Sequence, residues 1–284
     1  MAWPLERREI GPVKIRFWGV RGSISTPSPR HIAFGGNTSC IEVRIDDRVI
    51  VLDAGTGIRN LGNFLVKEDI KSVDILLSHT HWDHMNGFPF FTPAYDPNCE
   101  ITIKAGHLID QGGLRRILSG QMTQPMFPVP LEAMKSKMNI EDFRAGESFE
   151  MGDGIRIKTA MLNHPNGATG YRIEHGGRSL CYITDTEHVP GELDSNILKL
   201  IEGADLVIYD STYTEEEFPQ KVGWGHSTWN EGVKLCREAG AGSMAIFHHD
   251  PDHEDAFMDK LEGDARSEWD NVFAAREQMK VELT

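Results

Sequence analysis

The stretch LSHTHWDHMNG, residues 77–87, packs His79, His81, Asp83 and His84 into six positions of a 284-residue chain that holds twelve histidines. Imidazole nitrogen and carboxylate oxygen are the donors that divalent zinc, manganese and iron accept. On an extended segment residues i and i+2 point the same way, so His79 and His81 face together. Asp83 and His84 then curl round in the turn that opens the next helix. One ion cannot easily use four donors from so short a span. The pairs His79/His81 and Asp83/His84 suit two adjacent ions, with the remaining ligands drawn from far along the chain.

Those ligands need elements to deliver them. The apolar run SVDILLSH (72–79) reads as a strand that ends at the cluster. IEVRIDDRVIVLDAG (41–55) reads as a hairpin turning at Asp46-Asp47, and IRNLGNFLV has helical spacing. Further strands are expected at 13–21, 100–106, 148–162, 169–185, DLVIYD and SMAIFHHD, and helices at LRRILSGQM, ILKLIEGA and TWNEGVKLCREAG. A terminal helix over roughly 253–280 would place Phe257, Leu261, Ala265, Trp269 and Phe273 along one face. A β-rich half (1–106) followed by a second (148–250) implies two packed sheets with helices outside, in one domain spanning 1–284. Metal-type residues stand at strand ends: 79–84, 164, 185 and 248–249. Strand ends share a rim, where such residues converge.

Lys and Arg number 29 against 43 Asp and Glu, a net charge of −14, which disfavours a long nucleic acid as the main partner because phosphate binding needs a basic footprint. A small anionic substrate remains compatible, since two divalent ions return positive charge at one place. Cys40, Cys99, Cys181 and Cys236 form no CxxC and sit beside apolar segments, as buried reduced thiols do. With no apolar leader and no run of about 18 apolar residues, the expectation is a cytoplasmic protein without a membrane span.

HTHWDH matches the HxHxDH signature of the metallo-β-lactamase-fold hydrolases. LDAGTG (52–57), NHP (163–165), YITDT (182–186), YDSTY (209–213), GHST (225–228) and IFHHDP (246–251) follow in the order seen there. The chain resembles that superfamily's phosphodiesterase branch, which includes tRNase Z and phosphoribosyl cyclic phosphodiesterase. The resemblance implies a four-layer αββα sandwich of two mixed sheets with helices outside. It implies that His79, His81 and His164 bind one ion, that Asp83, His84 and a late histidine bind the other, and that Asp185 bridges them. The family ligand follows a β-run of about four residues and one more, which favours His249, with His248 behind it. Asp53 would support the histidine loop without touching metal, and Asp210 would be structural.

Two such ions, zinc first and manganese or iron as alternatives, lie about 3.5–4 Å apart in such sites and lower the pKa of a shared water to about 7. The metal-bridging hydroxide would be the nucleophile, with Asp83 orienting it. His226 precedes a helix capped by Ser227 or Thr228. Its place in GHST resembles the HST motif of tRNase Z, which implies contact with the scissile phosphate and protonation of the leaving oxygen. Asn37, in FGGNTSC, is a weak candidate for lining the cleft. His31, His107, His175, His188 and His253 lack ligand-like context and read as surface or loop residues. The leading expectation is a dinuclear phosphodiesterase for a small or cyclic phosphodiester. Its rivals are an RNA-processing endonuclease like tRNase Z, a thioester or lactone hydrolase on the same fold, and a non-catalytic sensor. The segment 107–147 is open as a lid, a homodimer contact or a plain surface loop.

Overall fold

Apolar residues occupy both faces of the inner strands, and each face meets a different layer. In the computed structural model, which describes residues 11–284, the strands are β1 (Val13–Gly19), β2 (Cys40–Ile45), β3 (Arg48–Leu52), β4 (Ser72–Leu77), β5 (Glu100–Ala105), β6 (Lys137–Asp142), β7 (Ser148–Glu150), β8 (Arg156–Leu162), β9 (Ala168–His175), β10 (Arg178–Ile183), β11 (Leu206–Asp210), β12 (Met244–Phe247), β13 (Val272–Ala274) and β14 (Lys280–Leu283). Among the described residues they form two seven-stranded sheets, ordered β14-β1-β2-β3-β4-β5-β6 and β13-β12-β11-β10-β9-β8-β7. The run β3 to β6 is parallel, as is β10 to β13, and the flanking pairs are antiparallel. The first residues of the chain, read above for a leader, lie outside the described residues.

The period of two along each strand sorts side chains between layers. Ile50 and Leu52 of β3 meet Leu180, Tyr182, Leu206, Ile208 and Phe247 between the sheets, whereas Val49 and Val51 face outward. Outside the first sheet that outward face packs on α1 (Gly57–Lys67) through Ile58, Leu61 and Leu65, and on α3 (Leu114–Gln121). The short α2 (Trp82–Met85) lies between them in sequence. Outside the second sheet, Cys181, Ile183, Val207, Tyr209, Met244 and Ile246 pack on α4 (Ser195–Ile201), α5 (Trp229–Glu238) and α6 (Asp255–Glu268). Three cores between four layers make the expected αββα sandwich. Each fully buried aliphatic side chain contributes about 1.5–3 kcal/mol.

Two expectations change. The terminal helix stops at Glu268; its buried face is Met258, Leu261 and Ala265, and Phe257 stays exposed against His253. The chain then turns extended: β13 pairs with β12, and β14 pairs with β1. The β1 and β12 edges therefore gain backbone partners that a longer helix would have left open. Part of 107–147 is likewise a strand, since β6 pairs with β5. The hairpin at Asp46 forms as expected, with φ of +50° there. No helix among the described residues is long and apolar enough to cross a membrane.

Candidate metal centre

The parallel strands end at one rim, where open α/β sheets bind ligands. Asp53 follows β3, His79 follows β4, Asp185 follows β10, Asp210 closes β11 and His248 follows β12. His164 follows β8, which runs in the direction of β10. Asp53, Asp185 and His248 all take left-handed backbone, with φ of +62°, +53° and +62°. That conformation costs about 1–3 kcal/mol at a residue other than glycine. It turns the chain just past the strand and leaves these side chains on the rim.

The first group is His79, His81 and His164, whose ligand-type atoms lie within 4.8 Å of one another. His164 Nε2 stands 3.0 Å from His81 Nδ1. His164 Nδ1 donates to the Gly225 carbonyl at 2.8 Å, which leaves Nε2 with a lone pair facing the group. His79 Nδ1 meets Ser78 Oγ at 3.1 Å, and its Nε2 is buried with no hydrogen-bond partner. Burial lowers the proton affinity of all three imidazoles, and for His79 the neighbouring His84 lowers it further.

The second group is Asp83, His84, Asp185 and His248, all buried. His84 Nε2 lies 3.2 Å from Asp83 Oδ2, 3.1 Å from Asp185 Oδ1 and 3.2 Å from His248 Nε2. His248 Nε2 lies 3.2 Å from Asp83 Oδ2 and 3.3 Å from Asp185 Oδ1. Burial opposes charge on His84, but Asp185, Asp83 and Asp53 outweigh it and hold its proton well above the ordinary range. Burial likewise opposes ionisation of Asp185, yet His248, His84 and His79 hold that carboxyl well below its ordinary range. Asp185 spans the groups: its Oδ2 is 3.6 Å from both His79 Nε2 and His164 Nε2.

These groups fit divalent ions. Four donors about 2.1 Å from one point in a tetrahedron stand about 3.4 Å apart, close to the separations in the second group. The orphaned His79 Nε2 is a buried lone pair that a cation would satisfy. Behind the donors, His84 Nδ1 donates to Asp53 Oδ2 at 2.7 Å, and Asp53 also accepts from Ser78 N, Ser78 Oγ and Tyr182 OH. His248 Nδ1 meets Thr212 Oγ1 at 2.9 Å, and Thr212 donates to Asp210 Oδ1 at 2.7 Å. Such partners fix which nitrogen faces the metal.

The late histidine departs from expectation. His248, not His249, joins the group. β12 ends at Phe247, and the left-handed turn at His248 sends its ring to the rim. His249 N donates to Val20 O, and the His249 ring is buried elsewhere with Nε2 2.8 Å from the Ala275 carbonyl. Gly22 makes room for His248: a Cβ there would sit 2.3 Å from the imidazole. Asn37 is also engaged elsewhere, its amide donating to Glu277 Oε2 at 3.0 Å. His226 stands beside both groups, its Nδ1 3.0 Å from Asp210 Oδ2 and 3.8 Å from Asp185 Oδ2. Burial works against its charge, but Asp210, Asp185 and Asp83 push its pKa up to about 9. Thr228 caps the helix that follows, while Ser227 Oγ bonds His188 and Tyr209.

His31, His107, His175 and His253 are buried, contrary to expectation. His107 was missed as a neighbour of the site. It ends the β5 segment, pairs with Thr80 Oγ1 at 3.2 Å, and has its pKa lowered to about 4 by burial and by His81 and His164. Its only signal in sequence was its place just after a strand, a signal that Ser78 and Thr212 share.

The family model for the beta-lactamase superfamily domain matches residues 48–249. Ribonuclease Z of Porphyromonas gingivalis is 21% identical over 85% of this chain and 91% of its own length. The metallo-beta-lactamase fold protein YhfI of Bacillus subtilis superposes with a TM-score of 0.73 at 18% identity, over 96% of this chain and 99% of that one. A diphosphatase from the PhnP family superposes at 0.68 and 17% identity, over 96% and 98%. The resemblance drawn from HTHWDH and the later motifs is borne out: the chain belongs to the beta-lactamase superfamily and is a metal-binding hydrolase of the metallo-β-lactamase fold.

Proposed function

We propose that this hydrolase is a phosphodiesterase for a small or cyclic phosphodiester. In this reading His79, His81 and His164 would hold one divalent ion and Asp83, His84 and His248 the second, with Asp185 placed to serve both. Zinc suits the donor set first, and manganese or iron are alternatives. The ions supply Lewis acidity toward a phosphoryl group and acidify water. The observation that carries the reading is His226. Its Nδ1 is held by Asp210, so Nε2 is the nitrogen left for substrate, and the Asp210 carboxylate favours the charged form of the ring. A cationic imidazole beside the two groups can bind a phosphoryl oxygen and protonate a leaving alkoxide, a role worth about 10²–10⁴-fold in rate. Asp83 Oδ2 accepts from Ser23 N at 2.7 Å and faces the two imidazoles, which leaves Oδ1 to orient the attacking water.

The net charge of −14 supports a small substrate over a long RNA. Trp82, Ile24 and Trp224, on three segments that carry the site, are 81%, 61% and 60% exposed, and support a substrate with a flat apolar group. The name of one relative, Ribonuclease Z, and that of one fold neighbour, a diphosphatase, both speak of phosphoryl chemistry, and the first favours RNA cleavage as the second reading. Four buried free thiols fit a reducing cytoplasm.

A panel of bis(p-nitrophenyl) phosphate, a 2′,3′-cyclic nucleotide, a structured RNA and a thioester, with zinc and with manganese, tests this. The small phosphodiesters should be cleaved best, and His226→Ala should lose cyclic-nucleotide turnover while keeping its metal. Preferred cleavage of the RNA would select the second reading, and preferred cleavage of the thioester would overturn both.

A further inference from the structure

Three segments deliver His164, Asp185 and His226 from distant parts of the chain, and one carboxylate joins them. Glu187 lies two residues beyond Asp185. Its backbone N donates to Asn163 O at 2.8 Å, and Asn163 Nδ2 donates back to Glu187 O at 2.8 Å, beside His164. Its side chain reaches the loop that carries His226. Gly223 N donates to Glu187 Oε1 at 2.9 Å and Oε2 at 2.8 Å, and Gly225 N donates to Oε2 at 2.8 Å. Both glycines take left-handed backbone, with φ of +90° and +88°, which turns their N–H groups toward the same carboxylate. Converging backbone N–H groups form an anion-binding concavity, and an ionised carboxylate is the strong partner for it.

The loop needs this clamp. Gly225 is the residue whose carbonyl accepts from His164 Nδ1, and a Cβ on it would sit 2.3 Å from that nitrogen. The next residue is His226. A shift of the loop by a fraction of an ångström therefore moves both the carbonyl that orients His164 and the imidazole at Asp210. Glu187 itself touches neither group of metal-type donors. Its carboxylate is the fixed point from which the Gly225 carbonyl and the His226 imidazole are set.

We propose that Glu187 is a positioning residue that holds His226 at the angle needed to protonate the leaving oxygen, an inference that rests on the phosphodiesterase reading above. A residue acting through the proton donor matters only where the leaving group needs a proton. The p-nitrophenolate of bis(p-nitrophenyl) phosphate departs unprotonated, whereas the ribose alkoxide of a 2′,3′-cyclic nucleotide does not.

Glu187→Ala and Glu187→Gln, loaded with saturating zinc, are compared with His226→Ala on both substrates, with metal content and melting temperature measured alongside. Glu187→Ala should lose about 10–100-fold in kcat on the cyclic nucleotide and less than about threefold on bis(p-nitrophenyl) phosphate. Its metal content should match that of the parent. Glu187→Gln, which keeps one acceptor oxygen, should fall between. A parallel loss on both substrates, or a loss that follows metal content or melting temperature, would make Glu187 a structural staple and overturn the inference. So would an unchanged Glu187→Ala beside a His226→Ala that shows the split. If His226→Ala itself shows no split, the proton-donor reading on which both rest fails.

Discussion

The two donor groups share a rim but differ in chemistry. His79, His81 and His164 are three neutral imidazoles, and His81 is partly open to solvent. Asp83, His84, Asp185 and His248 pair two imidazoles with two carboxylates, all buried. The supports differ in the same sense. The imidazole group rests on a hydroxyl and a carbonyl, Ser78 Oγ and Gly225 O. The carboxylate group rests on carboxyl partners, directly through Asp53 and through Thr212 to Asp210. A dication in the second group would be neutralised by its own ligands. In the first group, only the Asp185 oxygen at 3.6 Å offsets the charge. The buried group should therefore hold its ion more tightly, and the open group should be the one that exchanges metal and meets substrate.

Asp185 is where the comparison breaks most severely. Asp185→Ala removes the one side chain common to both groups. It should lose both ions by metal analysis and cut phosphodiester hydrolysis by more than about 10³-fold. Retention of two ions would show that the groups are independent. His248→Ala and His249→Ala come next. The first should retain about one ion per chain and lose about 10²–10³-fold in rate. The second should keep both ions and lose about 1–3 kcal/mol in denaturant unfolding, because a buried carbonyl partner is removed. The reverse pattern would restore His249 as the ligand.

Asp53→Ala should weaken the buried group by about 10–100-fold in a chelator competition, and the imidazole group, which it reaches only through Ser78 Oγ, by less. The smallest effect is in protons. In the metal-free protein His84 keeps its proton above the ordinary histidine range, so an ion entering the buried group must expel it. His81 and His164 are shifted down and are already neutral near pH 7. Metal affinity of the buried group should rise with pH between about 6 and 8, and that of the imidazole group should stay nearly flat. Calorimetry in two buffers of different ionisation enthalpy would measure about one proton for one ion and none for the other.

Much of this rim was legible in the chain. The density of HTHWDH, delivered by an apolar run, pointed to metal-type chemistry, and NHP and YITDT placed His164 and Asp185 at strand ends. Tyr182, in that same YITDT, proved to support Asp53, which no spacing indicated. The terminal helix failed for a related reason. An i, i+4 pattern through Phe273 is compatible with helix, but the open edge of β12 offered that segment a strand pairing that no local pattern shows.

The amino-acid sequence by itself determined the two-sheet architecture, because period-two apolar runs flanked by helical segments admit few other packings, and it determined the donor types of the rim. The tertiary structure decided which of two adjacent histidines faces the site. His248 and His249 carry the same side chain, and one left-handed residue after β12, accommodated by Gly22 on another loop, separates them. That φ depends on contacts between segments more than 200 residues apart. The joining of His164, Asp185 and His226 through Glu187 was decided in the same way, since a carboxylate finds backbone N–H groups only once the loops that bear them are in place.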